Sequence, residues 1–163
     1  MIDSSPLPAL ANVHFEVADH HQLDEVVTIM EASFDDRFGE GWTRSQCAGI
    51  LPMRGVSMLI ARNDAGQAVG FSLQRIVIGD GELLLLAVDP KFRRRGIGQG
   101  LLQKFIEHAR SEGASHVHLE VRDGNPAVVM YRTAGFKAVG RRRQYYHGRT
   151  GGEYDALTLS FDL

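Results

Sequence analysis

The residues of this chain best equipped for chemistry lie between Phe92 and Tyr131. The stretch FRRRGIGQG, Phe92 to Gly100, runs three arginines into three glycines on alternate positions, after an apolar run and before a helical one. A helix that starts on a glycine-rich turn points unpaired N–H groups outward, and glycine lets an anion approach them with no Cβ in the way. A guanidinium beside such a turn can pair with a phosphate oxygen while the backbone holds another. Further on, Glu120 shares an alternating segment with His116 and His118, so all three side chains point the same way while Val117, Leu119 and Val121 point oppositely. That group could move a proton or hold a metal. Tyr131 offers a phenol that stays protonated at neutral pH and can donate.

Neither of two common nucleotide loops fits the glycines. A Walker loop carries Lys and then Ser or Thr after its last glycine, whereas Gly100 is followed by Leu101 and Leu102. The dinucleotide fingerprint needs G-x-G-x-x-G directly after a strand, with an acid on the ribose roughly 20 residues later. Glu120 stands at about that distance, yet the spacing is G-x-G-x-G and Pro90 to Arg95 separate it from the strand. The chain also supplies one crossover where that fold needs several.

The elements that must position these residues can be read in order. NVHFEVAD alternates as a strand, and Asp19 caps a helix with apolar positions Leu23, Val26, Val27, Ile29 and Met30 that fades near Phe34. DDRFGEGW is a loop, and Thr43 caps a short helix through RSQCAGIL. VSMLIAR, AVGFSLQRIVI and ELLLLAVD, separated by NDAG and GDG, form an antiparallel meander. GLLQKFIEHARSEG places Leu101, Leu102, Phe105, Ile106 and Ala109 on one helical face and ends at Gly113. SHVHLEV is a strand, a short helix runs from Pro126 towards Gly135, and FKAVGRRRQYYH and YDALTLSFDL close the chain as a hairpin.

Bulk properties set the frame. At 163 residues with 44% hydrophobic content the chain makes a single domain, 1–163, with residues 1–11 expected to be flexible. No stretch is apolar for long enough to cross a bilayer and the start lacks a signal-peptide pattern, so a soluble, cytoplasmic protein is expected, with no membrane or nucleic-acid partner. Cys47, the single cysteine, is read as core filler. The net charge of −2 hides two opposed halves: residues 1–40 carry nine acids and one base, residues 91–150 thirteen bases and four acids. Either these are solvated faces, or one half meets a cation and the other an anion.

The segments LLLLAVDPKFRRRGIGQGLL, HLEVRDGNPAVVMYRTAGF, GRRRQYYH and GGEYDAL together resemble the GNAT acetyltransferase superfamily, and within it the ribosomal-protein-alanine N-acetyltransferase branch. Its cofactor motif reads Gln or Arg, two residues, Gly, one residue, Gly or Ala; Arg93, Gly96 and Gly98 fill those places. The resemblance covers about residues 12–163 and is specific from Leu83 onward. It implies an α/β (α+β) fold with a mixed, mainly antiparallel central sheet of about seven strands flanked by about four helices.

It also implies acetyl-CoA as co-substrate, with no metal. The backbone from Arg94 through Arg95, Gly96, Ile97 and Gly98 to Gln99 would hold the pyrophosphate, between Arg93 and Gly100. Leu86, Ala87 and Val88 would line the pantetheine arm where the fourth strand bulges from its neighbour, and the Val88 amide would face the thioester oxygen. Glu120 matches the family's base and Tyr131 its acid. Asn125 matches a cofactor-contacting Asn when counted forward from Glu120; counted back from Tyr131, Gly124 takes that place. The acceptor would be a protein or peptide N-terminus, possibly of a ribosomal protein, entering between the loop with Asp35, Asp36 and Glu40 and the hairpin with Tyr145 and Tyr146. A small polyamine-like amine, or non-catalytic acyl-CoA binding, is the alternative. Arg141 to Arg143 are read as solvated strand residues, and the protein as a monomer or homodimer.

Overall fold

The computed structural model describes residues 12–163, and the expectation of a flexible segment at 1–11 lies outside them. The elements, in order, are β1 (His14–Ala18), α1 (Leu23–Ser33), α2 (Arg44–Ile50), β2 (Val56–Arg62), β3 (Ala68–Val77), β4 (Asp80–Val88), α3 (Ile97–Ser111), β5 (His116–Arg122), α4 (Ala127–Thr133), β6 (Lys137–His147) and β7 (Glu153–Asp162). Seven strands form one sheet in the order β1-β2-β3-β4-β5-β7-β6. The β4–β5 pair is parallel and the other five are antiparallel. This is the mixed, mainly antiparallel α/β sheet with four helices that the sequence implied.

Local chemistry accounts for most of the element ends. Asp19 with Gln22 and Thr43 with Gln46 each form a reciprocal capping box, though Asp19 caps a single 3-10 turn, His20–Gln22, that leads into α1. The third helix starts earlier than its apolar stripe suggested, at Ile97 on Gly96, and stops where Gly113 (φ 81°) lets Ala114 N–H reach Ala109 O at 3.0 Å. Pro126 precedes α4 as its N-cap, and the Asn125 carboxamide oxygen accepts from Ala127 N–H at 2.8 Å.

Two apolar clusters sandwich the sheet. Phe105, Leu102, Ala109 and Leu83 pack with Val117, Leu119 and Leu159 on the α3 side. Leu23, Val26 and Met30 pack with Met58, Phe71, Leu85 and Ala87 on the α1 side, with Cys47 buried among them as expected. Leu83 and Leu85 are two apart, yet they serve opposite clusters. The cause is a bulge: Leu73 pairs with Leu85 but Gln74 pairs with Leu83, leaving Leu84 as an extra residue that reverses the alternation of β4. At the open edge, β6 is exposed along nearly its whole length and carries the arginine run, a charge pattern that discourages further strand pairing.

Candidate functional site

The bulge at Leu84 marks where two central strands part. Pairing of β4 with β5 runs from Asp80↔His116 to Leu83↔Leu119 and stops there among the described residues. Asp89 N–H donates to Val69 O at 2.9 Å, so by the alternation of an antiparallel ladder the amides of Val88 and Leu86 turn away from β3, into the gap. The gap holds a cavity of about 60 Å³ whose lining includes Leu84, Leu86, Glu40, Glu120, Asn125, Tyr131 and Tyr146.

The glycine turn closes one end of this gap. Gly96 is left-handed (φ 79°, ψ 6°) and starts α3 without any side-chain cap, so the amides of Ile97, Gly98 and Gln99 stand as first-turn donors. A Cβ on Gly98 would lie 3.3 Å from Met130 Sδ and 3.7 Å from Val88 Cγ2, which shows how closely the helix start approaches the end of β4. First-turn amides, a missing Cβ and a splayed strand suit a diphosphate followed by a flexible amide-bearing arm. Gly100 differs from its neighbours. Its N–H is committed to Gly96 O at 2.9 Å, and a Cβ there would meet the Phe15 ring at 2.6 Å, so packing by itself accounts for that glycine.

The three arginines divide. Arg93 donates to Val88 O (3.3 Å) and Ser33 O (3.2 Å), while Ser33 Oγ donates to the same Val88 carbonyl at 3.1 Å. Arg93 therefore pins the end of β4 to the end of α1. Arg94 (φ 63°) and Arg95, stacked on the Phe92 ring at 5.3 Å, are exposed beside the turn.

Glu120 sits on β5 just past Leu119, the last residue paired with β4. Its Oε2 accepts from Thr158 Oγ1 at 2.8 Å, and its Oε1 lies 3.1 Å from Arg142 Nε. The histidines on its strand face go elsewhere: His116 and His118 both approach Asp80. Glu120 thus forms no common ligand set with them.

Tyr131 is 6% exposed and held by a helix-end motif. Gly135 (φ 112°) turns the chain so that Phe136 N–H bonds Tyr131 O at 3.1 Å and the two rings meet edge-on, 6.0 Å apart. Burial, and then the nearby Glu40 charge, push the Tyr131 phenol well above its ordinary value. Tyr146 is shifted upward for the same leading reason, with Glu40, Tyr145 and Glu120 adding to it.

Glu40 is the carboxylate of the α1–α2 loop that lines the cavity. It accepts from Asn125 Nδ2 at 2.8 Å and lies 3.2 Å from Arg122 Nε, both charges being about nine-tenths buried. The Arg122 guanidinium also stacks on Phe38 at 3.7 Å. The Nε is close to the carboxylate but out of line, leaving it without a formed hydrogen bond. Asp35 and Asp36, named with Glu40 in the sequence, turn outward to Arg37 and Arg149. Loop and hairpin are tied together, since Arg149 N–H donates to Asp36 O at 2.9 Å and Phe38 meets Tyr154 edge-on. Tyr146 lines the cavity and Tyr145 stays 45% exposed. Asn125, not Gly124, faces the cavity.

Arg141 to Arg143 are exposed on β6, as expected, and two of them also pair: Arg141 bridges Asp123 (2.7 Å) and Asp155 (2.9 Å), and Arg142 reaches Glu120. Thr158 and Arg142 are brought to Glu120 by the β5–β7–β6 register, and no local spacing in the sequence announces it.

Residues 23–136 match the acetyltransferase (GNAT) family. Over 123 residues the chain is 29% identical to the ribosomal protein bS18-alanine N-acetyltransferase of Escherichia coli K12, covering 75% of this chain and 81% of that one. It is 37% identical over 108 residues to the N-alpha-acetyltransferase RimI of Mycobacterium tuberculosis, 63% of this chain and 65% of that one. In fold it is similar to the crystal structure of the ribosomal-protein-S18-alanine N-acetyltransferase from Escherichia coli, with a TM-score of 0.80 at 24% identity, covering 92% and 93% of the two chains.

Proposed function

We propose, from the premise that this chain belongs to the GNAT acetyltransferase family, that it transfers acetyl from acetyl-CoA to the α-amine of a protein N-terminus. The observation that carries this reading is the parting of β4 from β5 after Leu83 and Leu119, with a glycine turn at one end and Glu120, Tyr131 and Glu40 around the cavity. The relatives named for alanine N-acetylation support the choice of acceptor.

The amides of Ile97, Gly98 and Gln99 would receive the pyrophosphate, and the free amides of Leu86 and Val88 would pair with the pantetheine arm as a strand would. When bound, the thioester supplies the electrophilic carbonyl. The Val88 amide is placed to donate to its oxygen as negative charge gathers there. Glu120 takes the proton lost by the attacking amine. Because Thr158 and Arg142 already occupy both of its oxygens, a water held against the carboxylate is the natural relay. Tyr131 keeps its proton through the neutral range and hands it to the departing thiolate.

The acceptor follows from the cost of making a neutral amine. At pH 7 an α-amine with a pKa near 8 costs about 1.4 kcal/mol to deprotonate, against roughly 4.6 kcal/mol for a lysine near 10.4. A base with two partners suits the easier substrate. Glu40 meets Arg122 and Asn125 through Oε1, so its other carboxylate oxygen is the one at the cavity wall that can receive a terminal ammonium. Peptides with varied N-termini, set against a polyamine panel with acetyl-CoA consumption as readout, test the assignment. Turnover of N-terminal peptides is expected; turnover of polyamines alone would replace it.

A further inference from the structure

A second cluster of chemistry-bearing side chains lies at the closed end of the same strand pair. In the parallel register Asp80 stands opposite His116 and Glu82 opposite His118. Val117 and Leu119 between them are 0% and 1% exposed, so the four polar side chains share the other face, where each is part-buried and open to solvent. Asp80 Oδ1 lies 3.0 Å from His116 Nε2 and 3.0 Å from His118 Nδ1, and the three ligand-type atoms all fall within 4.8 Å of one another. Tetrahedral zinc, with bonds of about 2.0–2.1 Å to nitrogen and oxygen, separates its ligands by about 3.3 Å. Small side-chain rotations would admit such an ion.

The outer nitrogens of the two histidines are also placed. Ser115 Oγ donates to Gly79 O at 3.0 Å and lies 3.3 Å from His116 Nδ1. The outer nitrogen of His118 faces Glu82 Oε1 at 3.9 Å, and Glu82 is itself held by Arg75 at 3.1 Å. Both outer nitrogens thus face an oxygen, Ser115 within hydrogen-bond reach and Glu82 beyond it, while the inner nitrogens turn to Asp80.

We propose that Asp80, His116 and His118 bind a divalent transition metal of the zinc type, with a fourth position left to solvent. The ion ties β4 to β5 just before the point where they part, and so has a structural role at the base of the cavity. It takes no part in proton transfer, since Glu120 is bound to Thr158 and Arg142 on the far side of that point.

The test uses untagged, metal-stripped full-length protein titrated with Zn²⁺ in a calorimeter, with thermal unfolding followed in parallel. A site of micromolar or tighter affinity is expected, accompanied by a rise in Tm. Affinity should fall at least tenfold in Asp80→Asn and His118→Gln. It should persist in His21→Gln, which disrupts the exposed Asp19, His20, His21 cluster. A Cu²⁺ electron paramagnetic resonance spectrum of His21→Gln should still show two imidazole nitrogens, which the exposed cluster, left with His20 alone, cannot supply. Absence of binding, unchanged affinity in both Asp80→Asn and His118→Gln, or loss through His21→Gln would overturn the proposal.

Discussion

Glu120 Oε1 lies 3.1 Å from Arg142 Nε, an ion pair that reaches from β5 across β7 to the open edge of the sheet at β6. A carboxylate placed at the mouth of the β4–β5 gap is thereby fixed in direction by an arginine from the same hairpin that supplies Tyr146. Glu120→Gln keeps the shape and the Thr158 contact but removes the proton acceptor. Turnover should fall by about 10²–10⁴-fold, with acetyl-CoA affinity by calorimetry unchanged. Wild-type turnover would remove Glu120 from the mechanism.

Tyr131→Phe should spare cofactor binding and lower kcat by a similar order. The raised phenol value also carries a stability consequence. A tyrosine whose folded value lies above the ordinary one, near 10, contributes fully below that pH and progressively less above it, because the unfolded chain ionises first. Wild-type Tm should therefore hold up to about pH 10 and then decline, and the decline should be shallower in Tyr131→Phe. Parallel Tm-versus-pH curves for the two proteins would contradict this.

Gly98→Val tests the turn. Its side chain would enter the space between Met130 and the end of β4, so KM for acetyl-CoA should rise more than tenfold with little change in the peptide KM. Arg93→Ala acts differently. It removes two hydrogen bonds to main-chain carbonyls of Val88 and Ser33 and should cost about 1 kcal/mol of stability, read in a denaturant titration.

The Glu40–Arg122 pair offers a separable effect. Arg122→Met leaves a buried carboxylate without its cation and should destabilise the fold by about 3–5 kcal/mol. Glu40→Gln retains a partner for Asn125 while removing the charge, and should raise the peptide KM while leaving acetyl-CoA affinity intact. Equal effects on both substrates would place Glu40 outside the acceptor path.

Much of this architecture could be read along the chain because its signals are local. Asp19, Thr43, Gly113 and Gly135 mark turns and helix ends by their own chemistry, and the apolar stripe from Leu101 to Ala109 marks α3. The glycine turn and Tyr131 sit in short contiguous motifs for the same reason. What could not be read depends on strands distant in sequence. Nothing near Glu120 announces Thr158 or Arg142, and nothing near His116 announces Asp80, because those contacts come from registers set by the whole sheet. Asp35, Asp36 and Glu40 are alike in composition, and only the fold turns Glu40 inward to Arg122. Gly100 resembles Gly96 and Gly98 in the motif but packs on Phe15, a residue of the distant first strand.

The central claim is that the gap between β4 and β5 receives acetyl-CoA with its pyrophosphate at the start of α3. A crystal structure of the protein with acetyl-CoA tests it most directly. Density for the pyrophosphate against the amides of Ile97, Gly98 and Gln99, with the arm running past Val88 and Leu86 towards Tyr131, is the predicted result. A bound cofactor lying outside that gap, or a gap left empty at saturating acetyl-CoA, would contradict it.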